Sequence, residues 1–214
     1  MVKRIPRKMV AAWLREIGID FVPVPPASVA PGESLEEIRD ELLACRGCAL
    51  CSGRRTVVFG TGSPKARLMF VGEGPGEEED RQGEPFVGAA GKRLNRWIAR
   101  IGLSREEVYI ANIVKCRPPG NRAPLPEEAA SCLPYLRRQI RAVRPDVLCT
   151  LGGVALNHLF GIDERITRVR GRWRDLDGTP VLPTYHPAYI LRNASKEEEV
   201  FEDFGRIAEK LGFR

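Results

Sequence analysis

The chain's 214 residues, 43% of them hydrophobic, suffice for one buried core and not for two. A formal charge of +6, carried mainly by arginine, and a pI of about 9.2 favour a polyanionic partner. No run of about 20 apolar residues is present to cross a bilayer. No apolar segment with a cleavage site follows the basic start at Lys3 and Arg4, so a cytoplasmic protein without membrane contact is expected.

Residues 1–34 read as an appendage: a short helix over 8–17, then a proline-rich connector over 21–32. The main domain is expected over 35–214. Ser34 suits the cap of a helix ending near residue 43, with Glu37 completing a capping box. From residue 67 the pattern alternates. Strands are expected over 67–72, 108–114 and 146–152, and helices over 91–101, 126–143, 153–160 and 196–211. Residues 172–176 and 180–183 flank Asp177-Gly178, a hairpin turn signal. Such alternation specifies an α/β sandwich on a mostly parallel sheet, where ligands bind beyond the C-terminal strand ends.

The cysteines are clustered, which in an intracellular chain argues for metal rather than disulfides. Cys45, Cys48 and Cys51 follow one another at two-residue gaps, and Cys116 and Cys132 lie further on, each close to a proline. Thiolates at that spacing reach one metal or cluster from a single turn, and composition leaves zinc and iron–sulfur both open. Cys149, inside an apolar strand, reads as a buried structural thiol.

Gly72-Glu73-Gly74-Pro75-Gly76 leaves the first long strand and enters the acidic run Glu77-Glu78-Glu79-Asp80, read as a loop. The spacing, the stiff Pro75 and the acids do not suit a dinucleotide pyrophosphate. Tyr185-His186-Pro187 holds one of two histidines, and the other, His158, has no comparable context. The arginine groups at 137–144 and 168–174 suit a solvated face and phosphate contact equally. A high arginine share with few Asn and Gln is a compositional mark of thermophiles.

Together, segment 71–88, Asn112 within 109–115, the cysteine spacing and the segment 183–192 resemble the family 4 uracil-DNA glycosylases, the iron–sulfur branch of that superfamily. The resemblance covers 35–214. It implies a three-layer αβα sandwich with a mostly parallel four-stranded sheet, and a [4Fe–4S] cluster on Cys45, Cys48, Cys116 and Cys132, with Cys51 departing from the usual pattern. It also implies a monofunctional enzyme that releases uracil from single- or double-stranded DNA and starts base-excision repair.

An amide matches uracil's N3–H donor and O4 acceptor and mismatches cytosine, and Asn112 occupies that position in the resemblance. Phe86 matches its stacking ring, and His186 the donor to the departing anion. The resemblance implies that Glu73 is the important acid of this motif, beside Gly74, which stands where other branches carry aspartate. Glu79 matches the residue that crowds uracil C5 and excludes thymine. Around the pocket, Gly74 and Asn121 are expected at the substrate, with Arg117, Arg122 and Arg192 on phosphates and Ile190 or Leu191 as the wedge replacing the flipped base. The stretch 117–131 lacks the histidine of a relative that traps DNA covalently. A nucleoid-associated monomer is expected, with residues 1–34 free to meet a repair partner.

Overall fold

The computed structural model describes residues 32–213. The helix expected over 8–17 and nearly all of the connector after it lie outside the described residues. Helix α1 (Leu35–Leu43) starts with both halves of the capping box: Ser34 Oγ accepts from Glu37 N–H at 3.2 Å, and Glu37 Oε2 accepts from Ser34 N–H at 2.7 Å.

The sheet comprises β1 (Thr61–Gly62), β2 (Leu68–Gly72), β3 (Tyr109–Asn112), β4 (Val147–Leu151), β5 (Arg174–Leu176) and β6 (Thr179–Thr184), in the order β1-β3-β2-β4-β6-β5. Its four inner strands are parallel and both edge strands antiparallel. Six strands thus replace the four expected. The two-residue β1 is too short to leave an apolar period, and β5 is a three-residue hairpin arm. That hairpin turns at Asp177 and Gly178, with φ of 51° and 91°, the positive pair that an Asp-Gly turn accommodates.

Strands β2 and β4 are buried on both faces, so they read as nearly continuous apolar runs rather than alternating ones. On β2, Leu68 and Phe70 pack with Leu94, Trp97 and Ile98 of α3 (Ala89–Arg100) and with Phe204 and Ile207 of α8 (Glu197–Leu211). Met69 and Val71 point the other way, onto Leu136 and Ile140 of α4 (Pro126–Val143) and Ala155 and Leu159 of α5 (Gly153–Phe160). These opposite faces make the three αβα layers.

Three short helices complete the strand-end surface: α2 (Glu77–Gln82), α6 (Ile166–Val169) and α7 (Pro187–Arg192). The acidic run expected as a loop is therefore helix α2, its acids in the first turn where the helix dipole favours them.

Candidate active site

The parallel strands β2, β3 and β6 all end on one side, and their following segments enclose a cavity of about 490 Å³. Glu73, Gly74, Glu79, Phe86, Asn112, Asn121, Arg122, His186 and Arg192 line it, as do Pro118, Tyr189 and Ala90, which sequence reasoning missed. Neither Pro118 nor Tyr189 carries chemistry that a motif would flag. Only the folded walls reveal them.

Asn112 is the last residue of β3 and 1% exposed. Its Oδ1 is a buried acceptor without a hydrogen-bond partner among the described residues. Such an atom is costly unless a donor arrives. Beside it Phe86 sits at φ 53°, in the left-handed region unfavourable to a bulky residue. Arg105 Nη1 donates to Phe86 O at 3.3 Å and so helps hold the turn.

Glu79 fastens the same loop. Its Oε1 accepts from Val87 N–H at 2.9 Å and Gly88 N–H at 3.0 Å. The other acids of α2 also have structural partners: Asp80 accepts from Arg55 and Thr56 N–H, Glu78 pairs with Arg81, and Glu77 with Arg117 at 3.5 Å. Each acid of the run therefore has a hydrogen-bond or ion-pair partner within the chain.

His186 caps α7. Its Nδ1 accepts from Ala188 N–H at 3.1 Å, which leaves the ring proton on Nε2. Burial pushes its pKa down to about 4, with Arg192 adding to the shift and Glu79 opposing it. The imidazole is therefore neutral at pH 7 and keeps one donor. Its ring stands 5.6 Å from that of Phe86. Glu73, without a side-chain partner among the described residues, is held above the usual carboxylate range by burial.

At the rim, Arg117 Nε donates to Asn121 Oδ1 at 2.7 Å, while Arg122 makes a two-pronged pair with buried Glu128 at 2.7 and 2.8 Å. Both arginines are thus engaged within the chain in the absence of DNA. Ile190 and Leu191 separate cleanly. Ile190 is fully buried in the core, whereas Leu191 is 43% exposed. Successive helix positions point about 100° apart, so Ile190 cannot serve as the wedge and Leu191 remains.

Residues 59–211 match the model of the uracil DNA glycosylase superfamily. The chain belongs to the uracil-DNA glycosylase superfamily. It is an enzyme of that superfamily and resembles its type-4 members. It is 45% identical to the type-4 uracil-DNA glycosylase of Archaeoglobus fulgidus over 84% of this chain and 94% of that one. Similarity to the type-4 enzyme of Thermotoga maritima is 48% over 77% and 87%, and to that of Sulfurisphaera tokodaii 46% over 83% and 84%.

The thiols of this uracil-DNA glycosylase-superfamily chain gather away from the cavity. Cys45, Cys48, Cys51, Cys116 and Cys132 line one small hollow with Arg54 and Lys115, and all are free. A donor set of soft thiolates suits iron–sulfur or another soft metal rather than a hard cation. No three ligating side chains converge on a single ion among the described residues. Cys149 is fully buried in β4, in keeping with a structural thiol.

Proposed function

We propose that this chain hydrolyses the N-glycosidic bond of deoxyuridine in DNA as a monofunctional glycosylase and thereby opens base-excision repair. The carrying observation is the orphaned Oδ1 of buried Asn112 in the wall of the strand-end cavity. Uracil N3–H supplies the missing donor and uracil O4 accepts from the Asn112 amide N–H. Cytosine N3 bears no proton and leaves Oδ1 unpaired, a mismatch worth about 10⁴–10⁵ in rate where a site is built around the hydrogen bond.

The nucleotide enters the cavity by flipping out of the stack. Phe86 stacks on the base, and Leu191 fills the gap left in the duplex. As the C1′–N1 bond breaks, its electron pair leaves with uracil, and neutral His186 donates from Nε2 to O2 of the anion. Water adds to C1′ and gives up a proton to solvent, from which the departed uracil anion is reprotonated, with Glu73 holding the water or facing the cationic sugar. Glu79 acts mainly by fixing the Phe86 loop and its Gly88 turn beside uracil C5. Gly74 and Asn121 contribute wall and rim, and Arg192, Arg117 and Arg122 face the phosphates, the last two after exchanging internal partners. No lysine lines the cavity among the described residues, which disfavours Schiff-base lyase chemistry.

Cys45, Cys48, Cys116 and Cys132 would hold a [4Fe–4S] cluster, which supplies a covalent staple between two distant segments. Cys51 lines the same hollow and stands as the bystander of the five. We place the enzyme in the cytoplasm, on the nucleoid, as a monomer, with residues 1–34 available to a repair partner.

The test is excision from a labelled oligonucleotide with one deoxyuridine, followed by alkali. Strand breaks only after alkali, with many turnovers per enzyme, support the proposal. A stable alkali-resistant adduct or no reaction overturns it.

A further inference from the structure

Lys115 is 0% exposed, and its Nζ donates only to neutral oxygens: Asn112 O at 2.8 Å and Gln139 Oε1 at 2.6 Å. Gln139, from α4, is in turn held by its Nε2 on Phe59 O at 2.9 Å and Tyr109 Oη at 3.2 Å. No carboxylate pairs with Lys115 among the described residues. Lys115 lines the same small hollow as Cys116 and Cys132. A buried ammonium without an anion is strongly unfavourable.

Arg54 repeats the pattern on the other side of the hollow. Its Nη1 donates to Cys116 Sγ at 3.2 Å, and its Nη2 donates to Cys45 O at 3.0 Å and Leu43 O at 3.4 Å. It too pairs with no carboxylate among the described residues. By contrast, Arg138, Arg170 and Arg174, all partly buried, each pair with at least one. Two residues with cationic side chains and no carboxylate partner among the described residues thus line a hollow whose other side chains are mainly cysteines, and Arg54 touches one of them.

We infer that Arg54 and Lys115 are the built-in counter-ions of the anionic thiolate cluster, and that Lys115 also positions the end of β3, carrying Asn112, against it. The inference rests on the cluster reading above. It gives both cations their missing anion, and it gives the staple a physical link to the base-reading residue. Lys115 is then a positioning residue acting through the Asn112 carbonyl.

Arg54→Gln, Lys115→Met and Lys115→Gln are compared with wild type for iron per chain, midpoint potential and single-turnover uracil excision. Removing a positive charge beside the cluster disfavours the added electron, so every iron-replete variant is expected at lower potential. Iron loss to a chelator should quicken about 10–100-fold. Lys115→Met should also slow excision, and Lys115→Gln, which keeps a donor, should recover part of that loss. Arg54→Gln should excise normally. Unmoved potentials at full iron content overturn the counter-ion role, and wild-type excision by Lys115→Met overturns the link to Asn112. If the Lys115 variants lose their iron, Arg54→Gln at the hollow's edge decides the inference by its potential. Iron-free wild type removes the cluster reading and this inference with it.

Discussion

Gly72 and Asn112 are register partners at the parallel ends of β2 and β3, and a Cβ on Gly72 would strike Asn112 Oδ1 and sit 2.6 Å from the Phe86 ring. The missing side chain is what lets the amide and the ring share one wall. Gly72→Ala should therefore cost about 1–3 kcal/mol in stability, as overpacked cores do. It should also slow uracil excision together with Asn112→Ala, for which about ten- to thousandfold is expected. Thermal unfolding and single-turnover excision check the pair. Normal excision by Asn112→Ala would remove the amide from base recognition.

The pH profile follows from two displaced groups. His186, depressed to about 4, stays neutral through the range where a free histidine titrates, so no inflection near pH 6.5 should come from it. Its protonation would break the bond from Ala188 N–H to Nδ1. Glu73, raised by burial, should set an acid limb above the range where a free carboxylate titrates. Glu73→Gln should lower the rate and flatten that limb. For stability the sign is set by proton counts: between about pH 4 and 6.5 the unfolded chain binds the extra proton at His186. Stability from this group therefore rises with pH across that window and falls on acidification. His186→Ala should remove this group's share of the slope and slow excision by about ten- to thousandfold. Excision and unfolding measured from pH 4 to 8 decide it.

Glu79 holds two backbone N–H groups of the Phe86 loop with a single oxygen. Glu79→Ala strands both and should cost about 1–3 kcal/mol. Glu79→Gln keeps an acceptor and should cost less. Thermal unfolding of the two variants checks the order. Equal stability of Glu79→Ala and wild type would show the carboxylate is not a loop fastener.

Ile190 and Leu191 should behave oppositely despite their adjacency. Ile190→Ala empties a core position and is expected to cost about 2–5 kcal/mol. Leu191→Ala, at an exposed site, should change stability by no more than about 0.5 kcal/mol. It should slow excision from duplex more than from single strands, because only a duplex has a gap to fill. Equal slowing on both substrates would exclude the wedge role.

Cys116→Ala should lose both the iron chromophore and stability, whereas Cys51→Ala should keep the chromophore. Visible absorbance and iron per chain are the readouts. Bleaching by Cys51→Ala would transfer a ligand position to it.

Local chemistry was readable without coordinates. The helix over 126–143 and that over 153–160 match end to end, the Ser34–Glu37 box forms, and Asp177-Gly178 turns the hairpin. Each depends on residues a few positions apart, so a linear pattern carries it. Glu73, Phe86, Asn112 and His186 were likewise named from motifs, and all line one cavity. What the pattern could not carry was everything settled by distant partners. The acidic run became a helix whose charges are taken up by Arg55, Thr56, Arg81, Val87, Gly88 and Arg117. The choice between Ile190 and Leu191 depended on which side of α7 met the core. Lys115 and Arg54 look like ordinary surface cations in one dimension. Only folding buries the first and sets the second against Cys116, because burial and charge pairing are properties of segments brought together, not of neighbours in sequence.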